Sequence, residues 1–222
     1  MPLIFAGLPL GNIEDISLRV LKALQNADII ACEDTRVFNR LIKSLDIKVP
    51  AKIISYFEHN AKYKDNFLLE QAKIKKVILV TDAGMPAISD PGWTLLRQAI
   101  LSEQNLEFLP GPTAFLLALL WSGFAMDKFT FLGFAPRKAT KLKTFYQQIM
   151  ASEITNVFYE SPHRIIKSLE IADAIMPKRQ IALCRELTKP HQEIIRGQAV
   201  NIIEKIKSYK KLGEISLVIA NR

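Results

Sequence analysis

The chain has 222 residues, enough for one large domain or two small ones, with 49% hydrophobic and 23% charged residues, a soluble globular profile. Its longest uninterrupted apolar run, residues 114–121, is too short to span a bilayer, and the opening MPLIFAGLPLGN has neither a basic leader nor a small-residue cleavage site, so neither membrane attachment nor a signal peptide is expected and the location is expected to be cytoplasmic. A net charge of +8 favours polyanionic partners such as nucleic acid, and two cysteines, Cys32 and Cys184, make no disulfide framework.

The chain opens with a short apolar strand over 2–6, the loop GLPLGNIED and a helix over 15–26 whose Ile16, Val20, Leu21 and Leu24 share one face. A second strand over 28–32 ends in Glu33-Asp34-Thr35-Arg36, and a helix with Val37, Leu41, Ile42 and Leu45 follows. Residues 52–56 are strand-like, 60–74 form an exposed amphipathic helix, and Val77 to Val80 make a buried strand. That strand opens into TDAGMPAISDPG (81–92), a loop stiffened by Pro86 and Pro91, before a helix over 93–103. A strand over 106–109 then meets Pro110-Gly111-Pro112, and a very apolar helix over 113–121 closes the first half. This alternation predicts parallel pairing with helices on both faces.

Ser122 to Asp127 breaks the pattern, which places a domain boundary there. The second half has strands over 129–133, 154–159, 180–186, 193–197 and 214–219, with a helix after the basic stretch PRKATKLK and helices over 162–175 and 199–210. The strands at 193–196 and 214–219 are expected to be neighbours in a mixed sheet.

Several signatures are absent. There is no G-x-x-x-x-G-K-[ST] for a phosphate loop, no G-x-G-x-x-G after the first strand and no G-x-S-x-G elbow. His59, His163 and His191 are scattered, and no Cys/His spacing suits a metal. What remains is a set of charged or Gly/Pro-punctuated loops at strand ends. Those at 7–15, 81–92 and 109–114 follow parallel strands and should converge on one sheet edge, offering main-chain groups and apolar walls to an adenine ring with a polar tail.

The segments PLGNIED (9–15), ACEDTR (31–36), TDAGMPAISDPG (81–92), LPGPTA (109–114), FLGFAPRK (131–138), FYESPHR (158–164) and CRELTK (184–189) resemble, in order, the signature blocks of the ribosomal RNA small-subunit methyltransferase I family. The resemblance runs from residue 1 to the terminal GEISLVI at 213–219. It implies the α/β tetrapyrrole-methylase fold (class III S-adenosylmethionine methyltransferases), with a parallel-sheet N-terminal domain over 1–122, a mixed-sheet C-terminal domain over 128–222 and the cofactor cleft between them. It implies S-adenosyl-L-methionine as cofactor, 2′-O-methylation of a cytidine in the decoding region of 16S rRNA in the small ribosomal subunit, and a homodimer. The rival readings are a tetrapyrrole methyltransferase and a catalytically inactive rRNA-binding assembly factor.

Carried over residue by residue, the resemblance implies that Asp82, Ala83, Gly84 and Met85 form the cofactor loop, with Thr113 and Ala114 as a second wall and Leu8 and Pro9 at its border. Tyr159, Glu160, Gly213 and Glu214 are the cofactor residues implied in the second half. Leu8 and Met85 stand where the family usually has Thr, which replaces two hydroxyls by apolar bulk. Many members also continue past the last strand, whereas this sequence stops at Arg222.

Methyl transfer is an in-line displacement, helped by a group that takes the 2′-hydroxyl proton or stabilises the developing alkoxide. Asp34, Glu160, Glu186 and Lys189 are the candidates, unranked, and any of the acids, or Glu33, is equally suited to an ion pair. Arg36, Arg137, Lys138, Lys141, Lys143, Arg164, Arg185 and Lys189 are the candidate phosphate contacts, helped by the absence of acidic residues from 128 to 152. Phe134 and Tyr159 suit stacking on a splayed base, and Phe158 suits the core better.

Overall fold

The computed structural model describes residues 1–210 and 213–221. Packing divides the chain into two units, Met1–Thr113 and Ala114–Arg222.

In the first unit, β1 (Leu3–Ala6), β2 (Ile29–Cys32), β3 (Lys52–Ser55), β4 (Val77–Leu79) and β5 (Leu106–Leu109) form a sheet in the order β3-β2-β4-β1-β5, every neighbouring pair parallel. Parallel neighbours need long crossovers. Helices α1 (Leu18–Gln25), α2 (Thr35–Ser44), α3 (Glu58–Ile74) and α4 (Trp93–Leu101) occupy them. Side chains of β1 alternate between two cores. Leu3 and Phe5 join Leu68 and Ala72 of α3 and Leu95 and Ala99 of α4; Ile4 and Ala6 join Val20 and Leu24 of α1 and Phe38 of α2. Cover on both faces is why this strand reads as an unbroken apolar run.

Because the strands are parallel, their carboxyl ends meet at one edge. There the chain just past β1 touches the chain just past β5, main chain against main chain. A Cβ on Gly111 would lie 2.8 Å from Gly7 Cα, and one on Gly7 would lie 2.7 Å from Gly111 Cα. Leu8 and Gly84 exchange hydrogen bonds, at 2.9 and 3.0 Å, and so tie the loop after β1 to the loop after β4.

In the second unit, β6 (Phe129–Phe134), β7 (Thr155–Glu160), β8 (Ile181–Arg185), β9 (Glu193–Gly197) and β10 (Ile215–Ile219) form a mixed sheet in the order β6-β7-β10-β8-β9. Only β6 and β7 are parallel; β10 runs antiparallel to β7 and β8, and β8 to β9. Helices α6 (Ala139–Ala151), α7 (Ile165–Ile175) and α8 (Ala199–Ile206) cover one face through Leu142, Tyr146, Leu169, Ile202 and Ile206. The other face is covered by α5 (Ala114–Ser122), whose Ala118 and Leu119 pack on Val157, Ala182, Cys184 and Val218.

Two details differ from the sequence reading. The apolar helix α5, read as closing the first half, packs on the second sheet, so the division falls at Thr113/Ala114 instead of 122–127. Both faces of the first sheet are already covered by helices, and among the described residues α5 is the helix that covers the second face of the second sheet. In addition, β9 does not neighbour β10, because β8 lies between them. The short connection after β8 folds β9 back antiparallel beside it, and α8 carries the chain across to β10.

Replacing Gly111 by Ala drives a methyl group into backbone that no rotamer change can move. Gly111→Ala is expected to lose about 1–3 kcal/mol in urea unfolding, as overpacked sites do, whereas Gly123→Ala, with open space around its Cβ position, is expected to lose only about 1–2 kcal/mol, the cost of placing a side chain on its left-handed backbone (φ +72°).

Candidate functional site

The edge of the first unit is built by the residues that follow β1, β2, β4 and β5. Leu8 is 1% exposed and belongs to the core with Ile4, Val20 and Leu24, and its N–H is taken by the Gly84 carbonyl. Its contribution to this edge is therefore shape. Pro9 is buried beside it. Met85 is half-buried, its thioether against the Gly7 backbone, so the sulfur fills space where the family usually has a hydroxyl. Asp82 is exposed at the tip of the β4 loop, where its Oδ1 accepts the Asp34 N–H at 3.0 Å. Ala83 is half-buried and its carbonyl accepts the Thr81 hydroxyl at 3.2 Å; Gly84 is buried. Thr113 is half-buried and ends the unit.

Asp34 starts α2. Its Oδ1 accepts the Arg36 N–H at 2.8 Å as a helix cap, and its Oδ2 lies 2.6 Å from the Arg36 guanidinium. The Arg36 side-chain hydrogen bond, then the cap bond, hold the Asp34 carboxyl well below the usual carboxylate range. Burial, then Asp82, push the Glu33 carboxyl up. Burial first of all pushes the Cys32 thiol up to about 12, so it is an inert core thiol, as is Cys184.

In the second unit the ends of β7 and β8 and the starts of β9 and β10 share one edge, because Ile215 is in register with both Glu160 and Arg185, and Arg185 with Glu193. Glu160 closes β7 with its carboxyl fully buried. Its Oε1 accepts the Ser161 N–H at 2.7 Å and lies 2.5 Å from the Arg164 guanidinium, which also donates to the carbonyls of Pro136 and Ala135 at 3.1 and 3.3 Å. Its Oε2 is buried and has no hydrogen-bond partner among the described residues. An unsatisfied buried carboxylate oxygen is expensive and calls for a donor, a buried water or a ligand group.

Beyond β8, Glu186 accepts the Glu214 N–H at 2.9 Å and the Lys189 ammonium at 3.0 Å, and the same ammonium lies 3.1 Å from Glu214 Oε2. A Cβ at Gly213 would overlap the Glu186 carboxyl, and φ there is +67°, so the turn requires glycine. Partial burial pushes the Glu186 carboxyl up, but the Glu214 N–H and Lys189 outweigh it and leave it below the usual range. Burial likewise pushes Lys189 down, and its two carboxylates outweigh that and raise it. Lys189 therefore keeps its proton at neutral pH and is unsuited to act as a base.

Among the cationic candidates, Arg137, Lys138, Lys141 and Lys143 are exposed, with Lys141 and Lys143 flanking the buried Leu142 on α6. Arg36 is exposed but paired with Asp34. Arg164 and Arg185 brace the fold: Arg185 lies 3.3 Å from Glu193 and 5.4 Å over the Tyr209 ring, and Glu193 also meets Lys205 at 3.1 Å. Sequence reasoning missed Glu193, Lys205 and Tyr209, which carry no local motif and reach this edge through β9 and α8. Ala114 opens α5, Tyr159 is half-buried beside Phe131 and Phe134, and Phe158 lies in the core as expected.

The chain matches the family model for tetrapyrrole (corrin/porphyrin) methylases over residues 2–202. It is 40% identical to the ribosomal RNA small subunit methyltransferase I of a Hydrogenobaculum species, over 99% of this chain and 96% of that protein. The protein of that name from Thermotoga maritima is 38% identical, over 99% of this chain and 98% of the relative. Among solved structures, a crystal structure of diphthine synthase superposes with a TM-score of 0.77 at 16% identity, covering 99% of this chain and 90% of that one, a likeness of fold.

The depressed Glu186 carboxyl predicts a direction for stability against pH. Its contribution is present above the unfolded carboxylate value of about 4.3 and is lost as pH falls through the lower native value. Glu186→Gln is therefore expected to lower the midpoint of thermal unfolding at pH 7, and the gap to wild type is expected to narrow steadily from pH 5 to pH 3.

Proposed function

The chain belongs to the ribosomal RNA small subunit methyltransferase I family of the tetrapyrrole methylases, and we propose that it transfers a methyl group from S-adenosylmethionine to the 2′-oxygen of a cytidine in the decoding region of small-subunit rRNA. Identity of 40% over 99% of the chain carries this reading. The exposed cations of α6 and the acid-free segment from 128 to 152 support its RNA half.

The first unit's edge fits the cofactor chemically. Gly7 and Gly111 bring two stretches of main chain together with no room for side chains, Met85 and Pro9 are apolar, and Asp82 supplies charge. The residues proposed to hold the cofactor there are Pro9, Asp82, Ala83, Gly84, Met85 and Thr113, with Leu8 fixing the shape of the wall. Ala114, Tyr159, Gly213 and Glu214 remain proposed cofactor contacts of the second unit. When bound, the cofactor supplies an electrophilic methyl on a sulfonium leaving group.

The chain's own part is to position the acceptor and manage its proton. Of the four candidates, Glu160 suits the proton best. Its Oε2 is buried with no hydrogen-bond partner among the described residues, whereas Asp34 caps a helix, Glu186 answers Lys189, and Lys189 holds its own proton. Arg164 and the Ser161 N–H fix the other oxygen and so orient Oε2. Lys189, held between Glu186 and Glu214, offers fixed positive charge to a developing alkoxide at that edge. A second copy of the chain is part of the proposal, because α5 leaves Leu116, Leu120 and Trp121 exposed, apolar surface of the kind that pairs subunits. The reading places the protein in the cytoplasm with the ribosome.

The test is transfer of tritiated methyl from S-adenosylmethionine to small subunits lacking the modification, with the site mapped as an alkali-resistant linkage. Label at one decoding-region cytidine is expected. Glu160→Gln is expected to lower kcat roughly 10²- to 10⁴-fold, the usual range for loss of a general base, while S-adenosylmethionine still binds. Label on a tetrapyrrole in place of RNA, or cofactor binding absent from a folded wild-type protein, would overturn the reading.

A further inference from the structure

Phe134 is a large aromatic side chain that is 60% exposed. Single exposed apolar residues are ordinary, so exposure alone says nothing. Three features of its backbone do. First, the pairing of β6 with β7 slips between Phe131 and Phe134: Phe131 faces Val157, and Phe134 faces Tyr159. Three residues on β6 thus span two on β7, a bulge, with Gly133 at its centre at φ +65°. Residues three apart in a regular strand point to opposite faces. The extra residue turns Phe134 onto the face of Phe131, and both rings end 5.2 Å from Tyr159.

Second, the aromatics form a file. Phe115 of α5 stacks on Phe131 at 4.2 Å, Phe131 meets Tyr159, and Tyr159 meets Phe134. Phe115, Phe131 and Tyr159 are half-buried, and the file ends at the open ring of Phe134. Third, that ring stands on a braced backbone. The Ala135 N–H donates to the Tyr159 carbonyl at 2.9 Å, and Arg164 ties the Ala135 and Pro136 carbonyls to Glu160. The residues that follow, Arg137, Lys138, Lys141 and Lys143, are exposed cations.

An open aromatic face on an aromatic file, with exposed cations following it in the chain and Glu160 next to its strand partner Tyr159, suits one kind of ligand: a planar base flanked by phosphates. We infer that Phe134 is a positioning residue that stacks an unpaired RNA base, while the cations of α6 hold the neighbouring phosphates. The inference rests on the RNA reading above and deepens it. It requires a single-stranded segment, since a base inside a duplex has no free face.

The probe is a fluorescein-labelled single-stranded pyrimidine oligoribonucleotide, its affinity read by anisotropy across a salt series, beside the same sequence as a duplex. Phe134→Ala is expected to weaken single-strand binding about 10-fold or more, the scale of one lost base–aromatic stack. The salt slope is expected to stay unchanged, because no phosphate contact is lost. Phe134→Leu, apolar but not aromatic, should behave like Ala, and Phe134→Trp should restore binding. Lys141→Ala with Lys143→Ala should instead flatten the slope. With small subunits as substrate, Phe134→Ala should raise KM more than it lowers kcat. Full affinity in the Ala or Leu variant, or an equal loss on the duplex, would overturn the inference while methyl transfer by the wild type leaves the functional reading standing. A wild type that neither binds the oligonucleotide nor labels RNA would overturn both.

Discussion

The ion pair of Glu160 and Arg164 is the contact on which the functional edge of the second unit depends. Burying a carboxylate costs several kcal/mol unless it is paired and hydrogen-bonded. Glu160 meets that demand through one oxygen, with the Ser161 N–H and the Arg164 guanidinium. The guanidinium then reaches the carbonyls of Ala135 and Pro136, so one side chain fastens the end of β6, the end of β7 and the start of α7. Lysine has no planar fork with which to do this. The same bracing holds the backbone next to Phe134, and Glu160 Oε2 faces no donor among the described residues.

Electrostatic surroundings sort the acids at the two edges into different roles. A carboxylate whose pKa is held down is a weak proton acceptor, since the contacts that hold it down must be given up on protonation. Asp34 is in that position because of Arg36 and its helix cap, and Glu186 because of the Glu214 N–H and Lys189. Both are structural carboxylates in this sense, even though each lies beside a loop that the sequence marks out. Lys189, with two carboxylates around it, is likewise committed to its charge. Position at a strand end selects candidates, and local partners then tell against Asp34, both of whose oxygens Arg36 engages.

Much of the fold is legible in the sequence because each half obeys a simple rule. Strands such as Leu3–Ala6 and Val77–Leu79 are buried on both faces and so appear as continuous apolar runs, and the loops after them carry the Gly and Pro that the crowded edge demands. What the sequence hides is non-local. The all-apolar α5 has no polar face to orient it, so its assignment to the second sheet depends on which sheet lacks cover. The order of β8, β9 and β10 depends on the short turn after β8. Leu8 looks like a cofactor residue by position, yet its side chain points into the core. Arg185 and Arg164 look like phosphate contacts by charge, yet Glu193 with Tyr209, and Glu160 with two carbonyls, occupy them.

A fold shared at 16% identity with a diphthine synthase carries no information about substrate, so substrate class has to reside in features added to the fold. In the second unit the proposed features lie in one continuous stretch, the bulge of β6, the turn 135–138 and α6. Cations alone attract any polyanion and discriminate poorly, because phosphate contacts read no base. An aromatic face alone accepts any flat ring, a tetrapyrrole included. Together, on a backbone that Arg164 ties to Glu160, they suit the ligand proposed above, planar at one point and anionic at regular intervals beside it. Unpaired RNA, with a free base face beside a run of phosphates, meets that description, whereas duplex RNA offers no free base face.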